Sequence, residues 1–357
     1  MSDRDEIKIA TLNLFNFMEP PGAYYDFDNI YTHQEWQKKL AWIAQFLSKA
    51  KPDVIAFQEV FSGEALKAFI KAQGYPYFAI AGEPVPIADH VYDSPVVAIA
   101  SRYPIEYTLV IEADPRLAGS MGLISDFRYS RSPLLAGIKL PHVGSCEFYV
   151  VHFKSKRPTI EPVQSAYQVK SLPSEPTEQI EIPTIDPDNV GQVLAENVLG
   201  TWASSIQRGT EAAMLLSNII KRRQHSHLPF VLMGDFNDAM SGDILSHLLT
   251  HELRFFRPSI GELSDFCIRD AFDLYQGSLD LVFELPRAAT HYYGAQGMVL
   301  DYILLSSEFV PTDKHNMAVV SQYQIFDEHL VNPQYEHDSQ SSDHAPVMIS
   351  LQPREYI

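Results

Sequence analysis

The 357-residue sequence predicts a mixed α/β fold in which strand–helix units alternate with β-hairpins. Three observations carry this expectation. Short, mostly apolar runs such as Ile7–Leu12, Asp53–Phe57 and Phe230–Met233 stop at polar clusters, as buried strands do. Two longer stretches place apolar residues at helical spacing. Between them lie several strand-sized runs separated by Pro and Gly, the pattern of an antiparallel meander.

Taken in order, Ile7–Leu12 is the first strand, and a loop rich in Pro, Gly and Tyr follows from Met18 to Tyr31. Thr32 with Glu35 three positions later has the form of a capping box, and Leu40, Ile43, Phe46 and Leu47 then repeat at helical spacing up to Pro52. Asp53–Phe57 is the next strand, expected to stop at Gln58-Glu59, and Ala65–Ala72 reads as a short helix returning across the sheet. Tyr77–Ala81, Val96–Ser101, Ile105–Ile111, Leu134–Leu140 and Glu147–Phe153 form the meander. Pro158–Asn189 holds six prolines, several acids and no sustained period, so an insertion or lid is expected over about 156–204. Ile206–Arg223 restores a helix, with Ala212, Leu215, Leu216 and Ile219 on one face and Lys221, Arg222 and Arg223 suited to a helix C-terminus. Phe230–Met233 then runs into Gly234-Asp235-Phe236-Asn237, and Leu300–Leu305 and Ala345–Leu351 are late strands. No fixed-period repeat is visible, and the whole of 1–357 is expected to form one domain.

Composition narrows the class. No apolar run approaches the roughly 18 to 20 residues that span a bilayer, and Met1-Ser2-Asp3-Arg4-Asp5-Glu6 is too polar for a secretory signal, so a cytoplasmic location without an obligatory protein partner is expected. Cys146 and Cys267 are too few for a disulfide framework or a metal cluster and read as buried small hydrophobes. The net charge of -18 repels phosphate backbones at long range, so a polyanionic substrate must meet a locally basic cleft.

Acidic, amide or imidazole residues fall at the ends of predicted buried strands: Asn13, Glu59, His152, Asp235 with Asn237, Asp301, and Asp343 with His344. Each alone is an ordinary turn, cap or satisfied polar residue. Together, on separate strands, they can converge on one rim of a sheet and share a pocket. Their types suit hydrolysis of a phosphate ester. Hard oxygen ligands such as Glu59 and Asp343 favour Mg²⁺ or Mn²⁺ over zinc. A carboxylate such as Asp235 can orient and deprotonate water, His344 with Asp301 can move protons near neutral pH, and His152 can donate to a phosphate. No Gly-x-Ser-x-Gly pattern offers a serine nucleophile instead.

Six segments occur in order along nearly the whole chain: Ala10-Thr11-Leu12-Asn13, Asp53-Val54-Ile55-Ala56-Phe57-Gln58-Glu59-Val60, Val151-His152-Phe153-Lys154-Ser155, Gly234-Asp235-Phe236-Asn237, Leu300-Asp301-Tyr302-Ile303-Leu304-Leu305 and Ser342-Asp343-His344-Ala345-Pro346-Val347. The set resembles the endonuclease/exonuclease/phosphatase superfamily, the DNase I-like metal-dependent phosphoesterases, which also takes in apurinic-site endonucleases, inositol polyphosphate phosphatases and neutral sphingomyelinases. The resemblance implies a four-layer α/β/β/α sandwich of two mainly antiparallel sheets with helices outside. It implies Glu59 as the principal metal ligand with Asp343 and the Asn13 amide, Asp235 as the water-activating carboxylate, and Asn237 as a phosphate and transition-state contact. It further implies that His344, paired with Asp301, stabilises the phosphoryl group or shuttles a proton, and that His152 assists at the phosphate.

The chain departs from that pattern in two places. Some members carry an acid two positions after the first Asn, where this chain has Phe15 followed by Asn16, which argues against a second metal site there. Many have Arg two residues before the strand Asp, where this chain has Val299. Arg131 sits where many relatives place an arginine before a site-facing strand, so it is a candidate bidentate phosphate clamp. The run Lys154-Ser155-Lys156-Arg157 is similar to that of some bacterial extracellular nucleases of the superfamily and is the best candidate for a local positive patch, with Lys154 a candidate substrate contact. Tyr24, Tyr25, Tyr292 and Tyr293 could stack on bases or a ring, although ordinary interface or loop packing is the simpler explanation. The expected activity is therefore metal-dependent hydrolysis of a phosphodiester by activated water, with a nuclease first. A phosphatase or phosphodiesterase for a small, inositol or lipid-derived phosphate comes second, and a non-catalytic binding protein is the remote alternative.

Overall fold

A computed structural model describes residues 6–123, 126–159, 167–168, 184–185, 187–253, 255, 263–279 and 285–354. The principal elements in chain order are β1 (Ile7–Phe17), α1 (His33–Ala50), β2 (Val54–Val60), α2 (Gly63–Ala72), β3 (Tyr77–Ile80), β4 (Val96–Ser101), β5 (Ile105–Val110), β6 (Leu134–Leu140), β7 (Gly144–His152), α3 (Val190–Ser226), β8 (Phe230–Asp235), β9 (Arg269–Asp270), α4 (Ala271–Ser278), β10 (Asp301–Leu305), β11 (Ala318–Ile325) and β12 (Val347–Pro353). They build two six-stranded sheets, ordered β11-β12-β1-β2-β4-β3 and β9-β10-β8-β7-β6-β5. Each sheet has one parallel pair at its centre, β1–β2 in the first and β7–β8 in the second, flanked by antiparallel neighbours.

Side-chain alternation along the strands makes the layers. In β2, Val54 and Ala56 enter the apolar layer between the sheets with Val231, Met233 and Ile303, while Ile55 and Phe57 face Ile43, Leu47, Leu66 and Ile70 of α1 and α2. In β8, Val231 and Met233 point inward, and Phe230 and Leu232 pack with Ala212, Leu215 and Ile219 of α3. The expected four-layer α/β/β/α sandwich is the observed architecture. The capping box is also present: Glu35 N donates to Thr32 Oγ1 at 3.3 Å and Thr32 N to Glu35 Oε2 at 2.8 Å. Cys146 and Cys267 are free and buried, and no helix among the described residues is long and apolar enough to cross a membrane.

Several expectations need correction. The five-run meander divides between the sheets: β3 and β4 pair in the first, whereas β5, β6 and β7 form a true meander in the second. β1 continues past Leu12 to Phe17, and β2 continues through Gln58-Glu59 to Val60, because each carries a bulge where the polar residues suggested an end. Most of Pro158–Asn189 lies outside the described residues, but α3 starts at Val190, well before Ile206, so 190–204 is helical. Of the three cations near its end, Arg222 pairs with Glu147 and Arg223 with Glu308, fastening α3 to its surroundings instead of only facing the helix dipole.

Gly234 is required by space. Its φ is +143°, and a Cβ there would meet the Val151 carbonyl oxygen at 2.0 Å, because parallel β7 lies directly alongside. Gly234→Ala is expected to destabilise the protein by about 2–4 kcal/mol through strain and displacement of β7. Urea unfolding followed by circular dichroism measures it, and an unchanged midpoint contradicts this account.

Candidate active site

The parallel pairs send the C-terminal ends of β1, β2, β7 and β8 to one rim, and the antiparallel strands β10 and β12 begin there. That topology alone gathers Asn13, Glu59, His152, Asp235, Asp301 and the residues just before β12. The two bulges finish the placement. Phe15, Asn16 and Glu59 all adopt left-handed backbone, with φ of 51°, 60° and 60°, which re-aims their side chains out of the strand alternation. Glu59 Oε2 then accepts from Asn16 N at 2.9 Å, and Glu59 Oε1 accepts from Asn13 Nδ2 at 3.2 Å.

Asp235 is the meeting point. It lies level with His152 on one neighbouring strand and Asp301 on the other. Its Oδ1 accepts from Asn237 N at 2.8 Å, and its Oδ2 accepts from Asn13 Nδ2 at 3.1 Å and Asn237 Nδ2 at 3.2 Å. His152 Nε2 stands 3.4 Å from the same oxygen and His344 Nε2 3.9 Å from it. His344 Nδ1 lies 2.8 Å from Asp301 Oδ2, which fixes the ring. Ser342 locks the loop that carries His344: its Oγ donates to Asn13 O at 2.6 Å and accepts from His344 N at 2.9 Å.

Burial sets the protonation states. It raises the Asp235 carboxyl against the opposing charge of His344, while the neighbouring Asp301 adds to the rise. Burial alone would push His344 down, but Asp301, then Asp235, outweigh it and hold the imidazole well above its ordinary value. His152 is pushed well below, by burial first and then by Arg131, His344 and Lys154, so it is a neutral ring. The site thus pairs a neutral imidazole with a charged one on either side of one carboxylate.

The donor set fits a hard cation. Asp343 Oδ1 and Asp301 Oδ1 are buried oxygens without a hydrogen-bond partner, an arrangement that a cation would satisfy. Ligand atoms of His291, Asp343 and His344 lie within 4.8 Å of one another, as do those of Asp235, Asp301 and His344. Glu59 and Asp343 both act on one buried ammonium, Lys39, which burial pushes down to about 8 while the two carboxylates oppose the shift. Glu59 and Asp343, expected as metal ligands, therefore share one neighbourhood.

Other expected residues are placed differently from one another. The Asn13 amide oxygen accepts from Phe15 N at 3.0 Å, and its NH₂ group bridges Glu59 and Asp235, so Asn13 ties the two sheets together. Arg131 borders the site: its charge reaches both His152 and the Tyr25 phenol, whose pKa is raised by burial first. Lys154 turns back on its own loop, with Nζ donating to Arg157 O at 2.9 Å and Ser155 O at 3.3 Å, so it does not present its ammonium to the rim. Lys156 pairs with Asp238 at 3.0 Å. Tyr24 packs on Tyr31, whereas Tyr25 and Tyr293 remain exposed.

Sequence reasoning missed four residues. Lys39, Arg208 and Glu211 each left a signal, a charge on a helix face otherwise apolar: Lys39 lies between Trp36 and Ile43, and Arg208 and Glu211 precede Ala212, Leu215 and Ile219. His291 left none. It follows Thr290, whose hydroxyl accepts from Leu300 N and Asp301 N, and its ring packs 4.8 Å from that of His344.

Removing the Asp301 charge isolates its effect on His344. In Asp301→Asn the imidazolium loses its nearest anion, so the His344 titration midpoint falls toward neutrality or below it. Histidine-detected NMR follows this directly, and a midpoint unchanged from the parent protein contradicts the assigned pairing.

Known structures share this architecture. The human Nocturnin catalytic domain, solved with a bound sulfate anion, superposes with a TM-score of 0.56 at 16% identity, over 98% of this chain and 96% of that one. A Bacteroides thetaiotaomicron mannosyl-6-phosphatase gives 0.51 at 14% identity, over 97% and 99%, and humanized Danio rerio TDP2 gives 0.50 at 11%, over 97% and 99%. No curated protein matches the sequence. The model of the Endonuclease/Exonuclease/phosphatase family, whose members hydrolyse phosphoesters, matches residues 10–344, and the chain belongs to that family.

Proposed function

We propose that the protein hydrolyses phosphodiesters with a single Mg²⁺ or Mn²⁺, by in-line attack of an activated water, and that nucleic acid strands are its substrate. The observation that carries the reaction type is the convergence on Asp235 Oδ2 of groups from both sheets, beside the partnerless Asp343 oxygen. A bound divalent ion supplies charge neutralisation on the phosphoryl oxygens. Glu59 and Asp343 are the residues that would hold it. Asp235, oriented by Asn13 and Asn237, takes the proton of the attacking water. His344, held charged and oriented by Asp301, donates toward the developing phosphoryl charge, and neutral His152 supports Asp235 from the other side.

Support for a nucleic acid comes from the rim. Phe15, Tyr25 and, in the hairpin that begins at His291, Tyr293 are exposed rings that can stack on bases, and Arg131 and Arg157 bring positive charge to Tyr25. The internal pairing of Lys154 and Lys156 favours a second reading, a small phosphate ester, because it removes two of the cations that a long polyanion would use. The neighbouring mannosyl-6-phosphatase is named for such an activity.

A panel assay with Mg²⁺ and Mn²⁺ separates them, setting single-stranded DNA, RNA and duplex DNA against inositol phosphates, sugar phosphates, sphingomyelin and a generic diester, with Asp235→Asn as the inactive control. Cleavage of single strands is expected, with a shallow logarithmic salt slope of about -1.4 for two phosphate contacts at about 0.7 each, and Asp235→Asn is expected to lose about 10²–10⁴-fold in kcat. Turnover of small esters with intact nucleic acid defeats the nuclease reading, and a fully active Asp235→Asn defeats the mechanism. For the metal, Mn²⁺ should raise the Tm of the parent protein and raise that of Glu59→Gln much less at equal concentration. Identical shifts in the two proteins remove Glu59 from the ligand set.

A further inference from the structure

Two charged residues one turn apart near the middle of α3 lie almost wholly inside the protein: Arg208 is 2% exposed and Glu211 0%. Among the described residues Glu211 forms no ion pair. Its carboxylate accepts instead from Ser130 N at 2.6 Å and Lys154 N at 2.7 Å, and from Gln207 Nε2 at 3.0 Å, a group that also donates to Arg128 O at 2.7 Å. Arg208, one turn earlier, donates to Lys154 O at 3.0 Å and to Asp238 Oδ2 at 2.9 Å. One turn of helix therefore grips the segment before β6, the segment after β7 and the segment after β8. The first carries Arg131, the second leads directly out of β7 from its last residue, His152, and the third carries Asn237.

A buried carboxylate without a counter-ion is costly, and an apolar side chain would pack this face of α3 more cheaply. What an apolar side chain cannot do is accept N–H groups from two different loops at once. Ser130 immediately precedes Arg131, and Lys154 lies two residues after His152. The geometry is thus a cross-brace between the segment that carries the Arg131 guanidinium and the one that follows the His152 imidazole. Resting on the phosphoesterase reading above, we infer that Glu211 is a positioning residue for substrate binding, which fixes the Ser130 and Lys154 backbones to each other and thereby sets where Arg131 meets the phosphate. Glu211 acts through Arg131 and does not touch the substrate.

Glu211→Gln tests this, because it keeps the size of the side chain but turns one of the two accepting oxygens into an N–H donor. Hydrolysis of bis(p-nitrophenyl) phosphate should show KM raised about tenfold, the scale of one weakened charged hydrogen bond, with kcat changed much less. In an Arg131→Ala background the same substitution should add almost nothing. Backbone hydrogen exchange at Ser130 and Lys154 should quicken in Glu211→Gln while the centre of α3 stays protected. An equal KM penalty with and without Arg131, or unchanged exchange at both amides, overturns the proposal. Gln207→Ala, which removes a half-buried donor to the same carboxylate, gives a smaller shift in the same direction and serves if Glu211→Gln does not fold. If the parent protein hydrolyses no ester, the reading of the site fails, while the exchange comparison still decides whether Glu211 braces the two loops.

Discussion

One oxygen organises this molecule. Asp235 Oδ2 lies within hydrogen-bond reach of Asn13 from the opposite sheet and of Asn237 from its own loop, with His152 beside it. A carboxylate this deep is tolerable only where donors surround it. The constraint spreads outward from there. Asn13 can reach across only because β1 stays in register with β2 up to that residue, and His344 can approach only because Ser342 pins its loop to the Asn13 carbonyl. The strain at Phe15, Asn16 and Glu59 is held by the same contacts.

Much of this was legible in the chain. Apolar runs that end in polar residues identify the strands and, through them, the rim. Asp235, Asp301 and His344 come together as their strand-end positions imply. The bulges were not legible, because Gln58-Glu59 within a pairing strand reads the same as Gln58-Glu59 after one; only the register with β4, resumed at Val60, tells the two apart. The partners of charged residues were hidden for a similar reason. Lys156, Arg208 and Glu211 are visible as charges, but whether each faces water, substrate or the protein depends on partners tens of residues away, and Lys154 turns to carbonyls of its own loop. His291 gave no periodic or motif signal, since its placement follows from a bridge to His344 across a loop.

The charge of -18 takes on a sharper meaning with the pairs assigned. Several cations near the rim are tied to the protein itself: Lys156 and Arg208 to Asp238, and Lys154 to carbonyls of its own loop. Cations held in such pairings are less available for extended contact along a polyanion.

The two sheets share the same sequence of pairings, parallel at the centre and antiparallel on either side, and each contributes one carboxylate to the shared rim. Glu59 belongs to one sheet, Asp235 to the other. The separation of the two carboxylates is therefore fixed by how Val54 and Ala56 seat against Val231 and Met233. Interior packing acts here as a spacer gauge for the reaction. A methyl group gained or lost in that layer would shift the two halves relative to each other as well as cost stability.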